Sequence, residues 1–184
     1  PHPSGHEGSH PPRFTIAFSR EAGSGGQLVA HEVGRRLDWP VYDHKILEKL
    51  AEGLHVGVDR LESVDERPGH WLVEALNAFA AVSTVSEVTY FRRLLRMLLD
   101  LGDHGNCVIV GRGALFVLPV ETTLRVRLLA TRKDRIALIG RDRGLNHSEA
   151  ASFVETTDRE RIRFIKPHFH KDPADPQHYD LVLN

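Results

Sequence analysis

A single cysteine in 184 residues, Cys107, rules out a disulfide framework. Its place in the apolar run Cys107-Val108-Ile109-Val110 marks a buried structural thiol rather than a nucleophile. An excess of one charge is also missing. Lys plus Arg number 24 against 25 Asp plus Glu, so no global field favours nucleic acid or an anionic membrane surface. No apolar stretch is long enough to span a bilayer, and there is no signal-peptide pattern. These absences predict a soluble, cytoplasmic protein that recognises small molecules, with homo-oligomers left open. Twelve histidines are present, but only His168-x-His170 is closely spaced and no cysteine partner stands near it, so no metal ligands are assigned. Neither a Ser-His-Asp nor a Cys-His arrangement suggests covalent catalysis.

Most informative is Ser19-Arg20-Glu21-Ala22-Gly23-Ser24-Gly25-Gly26. It follows the β-rich run Phe14 to Phe18 and opens onto Leu28, Val29, Val33 and Leu37, whose spacing predicts a helix with those residues facing the core. Strand, glycine turn and helix together bring backbone N–H groups and a positive helix end to a phosphate. The bland alternative is a tight connection and no more. A complete P-loop, G-x-x-x-x-G-K-[ST], would also carry a Lys and a hydroxyl. Here Arg20 stands at the first Gly, Gly26 at the Lys and Gln27 at the Ser/Thr. The backbone nest is retained and the two reactive side chains are replaced.

Residues 1–12, rich in Pro, Gly and His, read as a disordered leader, and residues 13–184 as one domain. Val41-Tyr42 reads as a short strand ending on Asp43, which can serve chemistry at a strand's carboxyl end or cap the following helix. Gly57 to Gly69 reads as a mobile connection, Trp71 to Ala81 as a short helix, and Val88, Phe91, Leu95 and Leu98 as the core stripe of a longer one. Arg92, Arg93 and Arg96 lie off that stripe and read as a solvated face. Cys107 to Val110 predicts a buried strand running into Gly111-Arg112-Gly113, where the glycines suggest close approach and the guanidinium suits phosphate. Thr123 to Ala130 predicts a strand and Arg132 to Arg143 a helix stopped by Gly144. Asn146 with Glu149 predicts a capping box opening a helix towards Pro167. On it Asp158 and Arg161 share one face, Arg159 and Arg163 another. Tyr179 to Leu183 reads as the last strand. Strands alternating with helices predict a parallel, layered α/β sheet.

Taken in order, Ser19-Arg20-x-x-Gly23-Ser24-Gly25-Gly26, Val41-Tyr42-Asp43, Val108 to Gly113, Asp158-Arg159-Glu160-Arg161 and Asp175-Pro176-x-x-Tyr179 to Asn184 resemble the cytidylate kinase-like family, from about Phe14 onwards. The resemblance implies a three-layer P-loop NTPase fold with a five-stranded parallel sheet, a helical acceptor-binding insert at about residues 55–104 and a lid at about 141–171. It also implies ATP and Mg²⁺ as cofactors and transfer of the γ-phosphoryl group to a (d)CMP-like acceptor. Gly23, Ser24, Gly25, Gly26 and Gln27 then correspond to the ATP phosphate cradle. Arg20, Arg112, Asp158 and Arg161 correspond to the catalytic set, with Asp43, Arg112 and Arg159 on the acceptor side. The rival expectation is a catalytically weak or inactive nucleotide-binding regulatory module, favoured by the missing Lys and Ser/Thr.

Overall fold

The computed structural model describes residues 13–51 and 87–184. The elements are β1 (Thr15–Arg20), α1 (Gly26–Leu37), β2 (Val41–Tyr42), α2 (His44–Ala51), α3 (Glu87–His104), β3 (Cys107–Val110), α4 (Ala114–Val117), β4 (Thr123–Leu128), α5 (Arg132–Arg143), α6 (His147–Phe169) and β5 (Leu181–Leu183). The five strands form one sheet in the order β2-β3-β1-β4-β5, every neighbouring pair parallel. The predicted leader, the Gly57 to Gly69 connection and the Trp71 to Ala81 helix lie outside the described residues. Of the predicted insert, residues 87–104 are described, as one helix. No helix among the described residues is long and apolar enough to cross a membrane.

Strand alternation divides the core between the two faces of the sheet. Ala17, Tyr42, Cys107 and Ile109 bury against Leu47 of α2, Leu94, Met97, Leu98 and Leu101 of α3, and Ala114 and Leu115 of α4. Phe18, Val41, Val108, Val110, Val126 and Leu128 bury on the opposite face against Ala30 of α1. A sheet covered on both faces explains why β3 reads as an unbroken apolar run. The result is the three-layer parallel α/β fold expected from the sequence.

Two side-chain placements differ from expectation. Leu28, Val29 and Leu37 are exposed, at 69%, 39% and 44%, and the buried face of α1 is Gly26, Ala30 and Gly34. Small residues win because the helix lies too close to its neighbours for larger ones: a Cβ on Gly34 would collide with Val41 and stand 2.8 Å from the Trp39 carbonyl. On α3 the buried side is Leu94, Met97, Leu98 and Leu101, and Arg93 is buried with it, whereas Arg92 and Arg96 are exposed.

Candidate active site

β1 and β3 are adjacent although non-consecutive, and β3 is followed by a crossover to β4 on the other side of β1. The chain direction therefore switches at the β1 and β3 carboxyl ends, where an open α/β sheet has a crevice for ligands. The glycine loop and the Gly111-Arg112-Gly113 turn both open there, held together by the Gly111 N–H donating to the Phe18 carbonyl at 2.9 Å.

The loop is built by backbone conformation. Gly23 has φ 77° and faces the Arg135 carbonyl at 2.5 Å from where a Cβ would stand, so no side chain fits. The Ser24 N–H and hydroxyl both donate to the Glu21 carbonyl, at 3.3 and 2.9 Å, closing the turn. Gly25, at φ 71°, is the N-cap of α1 and provides no side-chain hydrogen bond, while a Cβ on it would meet nothing within 4 Å. By contrast α5 is capped by Thr131 and α6 by the Asn146–Glu149 capping box predicted from the sequence. No side chain caps the first turn of α1, whose N–H groups stand at the positive helix end, an arrangement that fits the phosphates of ATP.

Helix α6 docks onto this loop. Asp158 Oδ1 accepts from the Ala22 N–H at 2.7 Å, and its other oxygen accepts from Arg135 Nη1. Arg161 Nη1 donates to the Arg20 carbonyl at 2.9 Å and lies 3.8 Å from Asp158. Arg135 also reaches the Ala22 carbonyl and pairs with Glu21 at 3.3 Å. Asp158 and Arg161 thus meet the loop through its backbone, as their shared helix face implies.

Between the loop, the β3 turn and α6 lies a cleft of about 440 Å³. Arg20, Arg112, Arg161 and His44 line it together with Phe116, Ile162 and Phe164. Arg112 has φ 50° between Gly111 at φ 86° and Gly113 at φ 74°. The other non-glycine residues with positive φ among those described, Asp38, Asn106 and His170, each lie within two residues of a helix C-terminus. Left-handed backbone at Arg112 is strain kept at a ligand crevice. It directs the guanidinium over the Phe164 ring at 5.1 Å, and Gly113 is obligatory because a Cβ there would enter the Phe169 ring.

The cleft is lined by four arginines, Arg20, Arg112, Arg127 and Arg161, against three carboxylates, Glu21, Asp158 and Glu160, of which Glu21 and Asp158 also pair with Arg135. Burial first, then Arg161, pushes the Arg20 guanidinium down to about 10, with Asp43 opposing and Arg112 adding to the fall. Burial and then Arg161 lower Arg112, and burial lowers Arg161 against the opposing charge of Asp158. Cations that desolvate and repel one another are stabilised by an anion between them.

Asp43 is engaged structurally. Oδ1 accepts from the Lys45 and Ile46 N–H groups at 2.9 and 3.0 Å, capping α2, and Oδ2 accepts from Gln27 Nε2 at 3.0 Å. Asp43→Ala should lower stability by about 1–2 kcal/mol, the usual cost of losing such a cap, read as a lower urea midpoint at unchanged slope. Arg159 is exposed on α6 and is not among the residues that line the cleft. Among the described residues no three His, Cys, Asp or Glu side chains group to hold a metal, and Gln27, at the position of the P-loop hydroxyl, has its amide bonded to Asp43. His44 and Arg135 were missed by sequence reasoning. His44 directly follows a strand-end Asp, the one signal that could have singled it out; Arg135 carries none on its own helix.

A family model described as the cytidylate kinase-like family matches residues 15–184, and the chain belongs to that family. An uncharacterized protein from Eubacterium ventriosum has a similar solved structure, with TM-score 0.69 at 18% identity over 93% of this chain and 87% of that one, which shows a shared fold. A Bacteroides thetaiotaomicron shikimate kinase aligns over 93% of this chain and 86% of its own, with TM-score 0.48 and 16% identity. A curated Corynebacterium glutamicum protein named uronate isomerase is 28% identical over 105 residues, 57% of this chain. The chain spans 20% of that relative's length.

Proposed function

We propose that this protein is a nucleoside monophosphate kinase-like phosphotransferase that moves the ATP γ-phosphoryl group to a (d)CMP-like acceptor. The observation that carries the reading is the uncapped N-terminus of α1 standing beside a cleft lined by three desolvated arginines. Family membership supports the same reaction class. The Gly23 to Gly26 backbone and the first turn of α1 hold the donor phosphates, with Ala22 already committed to Asp158. Arg112 grips the acceptor phosphate, whose oxygen forms a bond to the γ-phosphorus as the bond to the β–γ bridging oxygen breaks, leaving ADP. Arg20 and Arg161 balance the charge that spreads over the transferring group. No protein nucleophile is needed, and the rate comes from positioning and electrostatics.

Gly25→Val should abolish ATP binding, because its side chain would project into the space the phosphates need at a backbone of φ 71°. Normal calorimetric ATP affinity in a folded Gly25→Val protein would reject the loop assignment. The second reading, a nucleotide-binding module without turnover, is favoured by Gln27, which stands at the P-loop hydroxyl position with its amide tied to Asp43. A coupled kinase assay over a panel of monophosphates, run beside ATP calorimetry, separates them. Turnover selects the enzyme, ATP binding without turnover selects the module, and no ATP binding rejects both.

A further inference from the structure

His44 opens α2 directly beneath the arginine cluster and lines the cleft, half buried. Its Nδ1 lies 3.2 Å from Arg20 Nη2. A guanidinium has only hydrogens to give, so Nδ1 must present its lone pair, and the ring must be the neutral tautomer protonated at Nε2. The charged groups that act on it are Arg20 from β1, Arg112 from the turn after β3, Arg161 from α6 and Asp43 at the start of its own helix, and the cleft it lines also holds Arg127, Glu21, Asp158 and Glu160. Of these groups Asp43 is the one that favours the charged ring, and it is occupied capping α2 and holding Gln27, while Asp158 pairs with Arg135 and stands beside Arg161. Burial, then Arg20, holds the imidazole down at about 4, so at neutral pH it is uncharged.

We propose that His44 is a proton-coupled member of an anion site for a doubly charged phosphoryl-type group: it holds Arg20 while the cleft is empty and becomes cationic when a dianion docks between Arg20, Arg112 and Arg161. Docking supplies negative charge that screens the three arginines from the ring and draws Arg20 Nη2 towards the anion. Nδ1, released, takes a proton from solvent. The ring then adds its positive charge to the cleft only when an anion is present. The inference deepens the acceptor side of the kinase reading, yet it needs only that the cleft bind a dianion.

The sign of the linkage follows from the proton count. The complex binds one more proton than the free protein, so affinity rises as pH falls through the complex's histidine value, and levels off below about 4, where the free ring is also charged. Sulfate is the probe, because it remains a dianion across this range and serves no kinase reaction. Titrating it by calorimetry into the full chain at about pH 6, in buffers of differing ionisation enthalpy, should give uptake of about 0.5–1 proton per sulfate, the range expected if the ring returns towards its ordinary value. His44→Gln keeps an oxygen that can accept from Arg20 but cannot titrate. It should bind sulfate with no uptake and a flat affinity between about pH 5 and 7. Nitrogen-detected spectra of the wild-type imidazoles provide a readout that survives a poorly folding variant: one ring should pass from the neutral Nε2–H form to the doubly protonated form on adding sulfate. Sulfate binding without proton uptake, uptake that persists in His44→Gln, or no sulfate binding would each overturn the proposal. A protein that binds sulfate with uptake but transfers no phosphoryl group would sink the kinase reading alone.

Discussion

Arg112→Ala should reduce kcat/KM for the monophosphate acceptor at least about tenfold, while ATP affinity measured without acceptor stays unchanged. A hydrogen bond to a charged group is worth about 1.5–3 kcal/mol, and each 1.4 kcal/mol is a factor of ten. The effect should be confined to the acceptor because the donor cradle is backbone, on the other side of the Arg20 stem, and contains no atom of Arg112. Arg112 is also held in a conformation that alanine adopts no more readily, φ 50° between two left-handed glycines, so the backbone of the turn has no reason to relax differently in the variant. Arg112→Lys sharpens the test. It keeps the charge but loses the planar fork and the stacking on Phe164, and should recover only part of the lost efficiency. A variant that lost ATP affinity and retained monophosphate binding would move Arg112 to the donor side.

What the sequence made legible, and what it hid, divides by the range of the forces involved. β3 was readable because four consecutive apolar residues, all fully enclosed, have no other use. The limits of α5 and the capping box of α6 were readable because Gly144, Asn146 and Glu149 act on their own helix ends. The glycine loop was readable as a nest for the same reason. The face of α1 was not, since apolar spacing selected Leu28 and Leu37 whereas backbone proximity selected Gly26, Ala30 and Gly34. Close approach rewards the absence of a side chain, which a hydrophobic pattern does not register. Arg93 was misread for a related reason, a charged residue enclosed beside Leu94 by tertiary packing. In the site, Arg112 was flagged by its two glycines, and Asp158 with Arg161 by their helical spacing. His44 and Arg135 reach the site through contacts 24 and 113 positions away, to Arg20 and Ala22, which no local pattern encodes.

The second large effect concerns Gly26, where a complete P-loop has its lysine. Gly26→Lys restores that residue on paper, yet in this chain it should destabilise the fold by about 1–3 kcal/mol, the usual cost of overpacking, and weaken ATP binding rather than improve it. A Cβ at position 26 would stand 2.7 Å from Arg20 Cβ and 3.0 Å from Arg20 Cγ, with Leu128 Cδ1 at 3.3 Å. The stem of Arg20 fills the room a lysine stem would occupy. Those atoms are fixed by the strand end and cannot swing aside as a flexible tip could. The glycine at 26 and the arginine at 20 are therefore one exchange, in which a cation on the helix is replaced by a cation on the strand. Arg20 leans across Gly26 and carries its guanidinium on to Gly111 and His44, nearer the acceptor cleft than the first turn of α1. Arg20→Gly alone should lose the cation and cost about 0.5–1 kcal/mol for a glycine in a strand. Arg20→Gly combined with Gly26→Lys restores the first glycine and the lysine of the motif, with Gln27 still at the hydroxyl position, and relieves the collision, so it should melt above Gly26→Lys alone and bind ATP more tightly than either single variant. Thermal melts of the four proteins form a double-mutant cycle whose coupling should favour the pair by more than about 0.5 kcal/mol. Additive melts would show that the two positions are independent, and a Gly26→Lys protein as stable as wild type would show that Arg20 does not occupy the lysine's place.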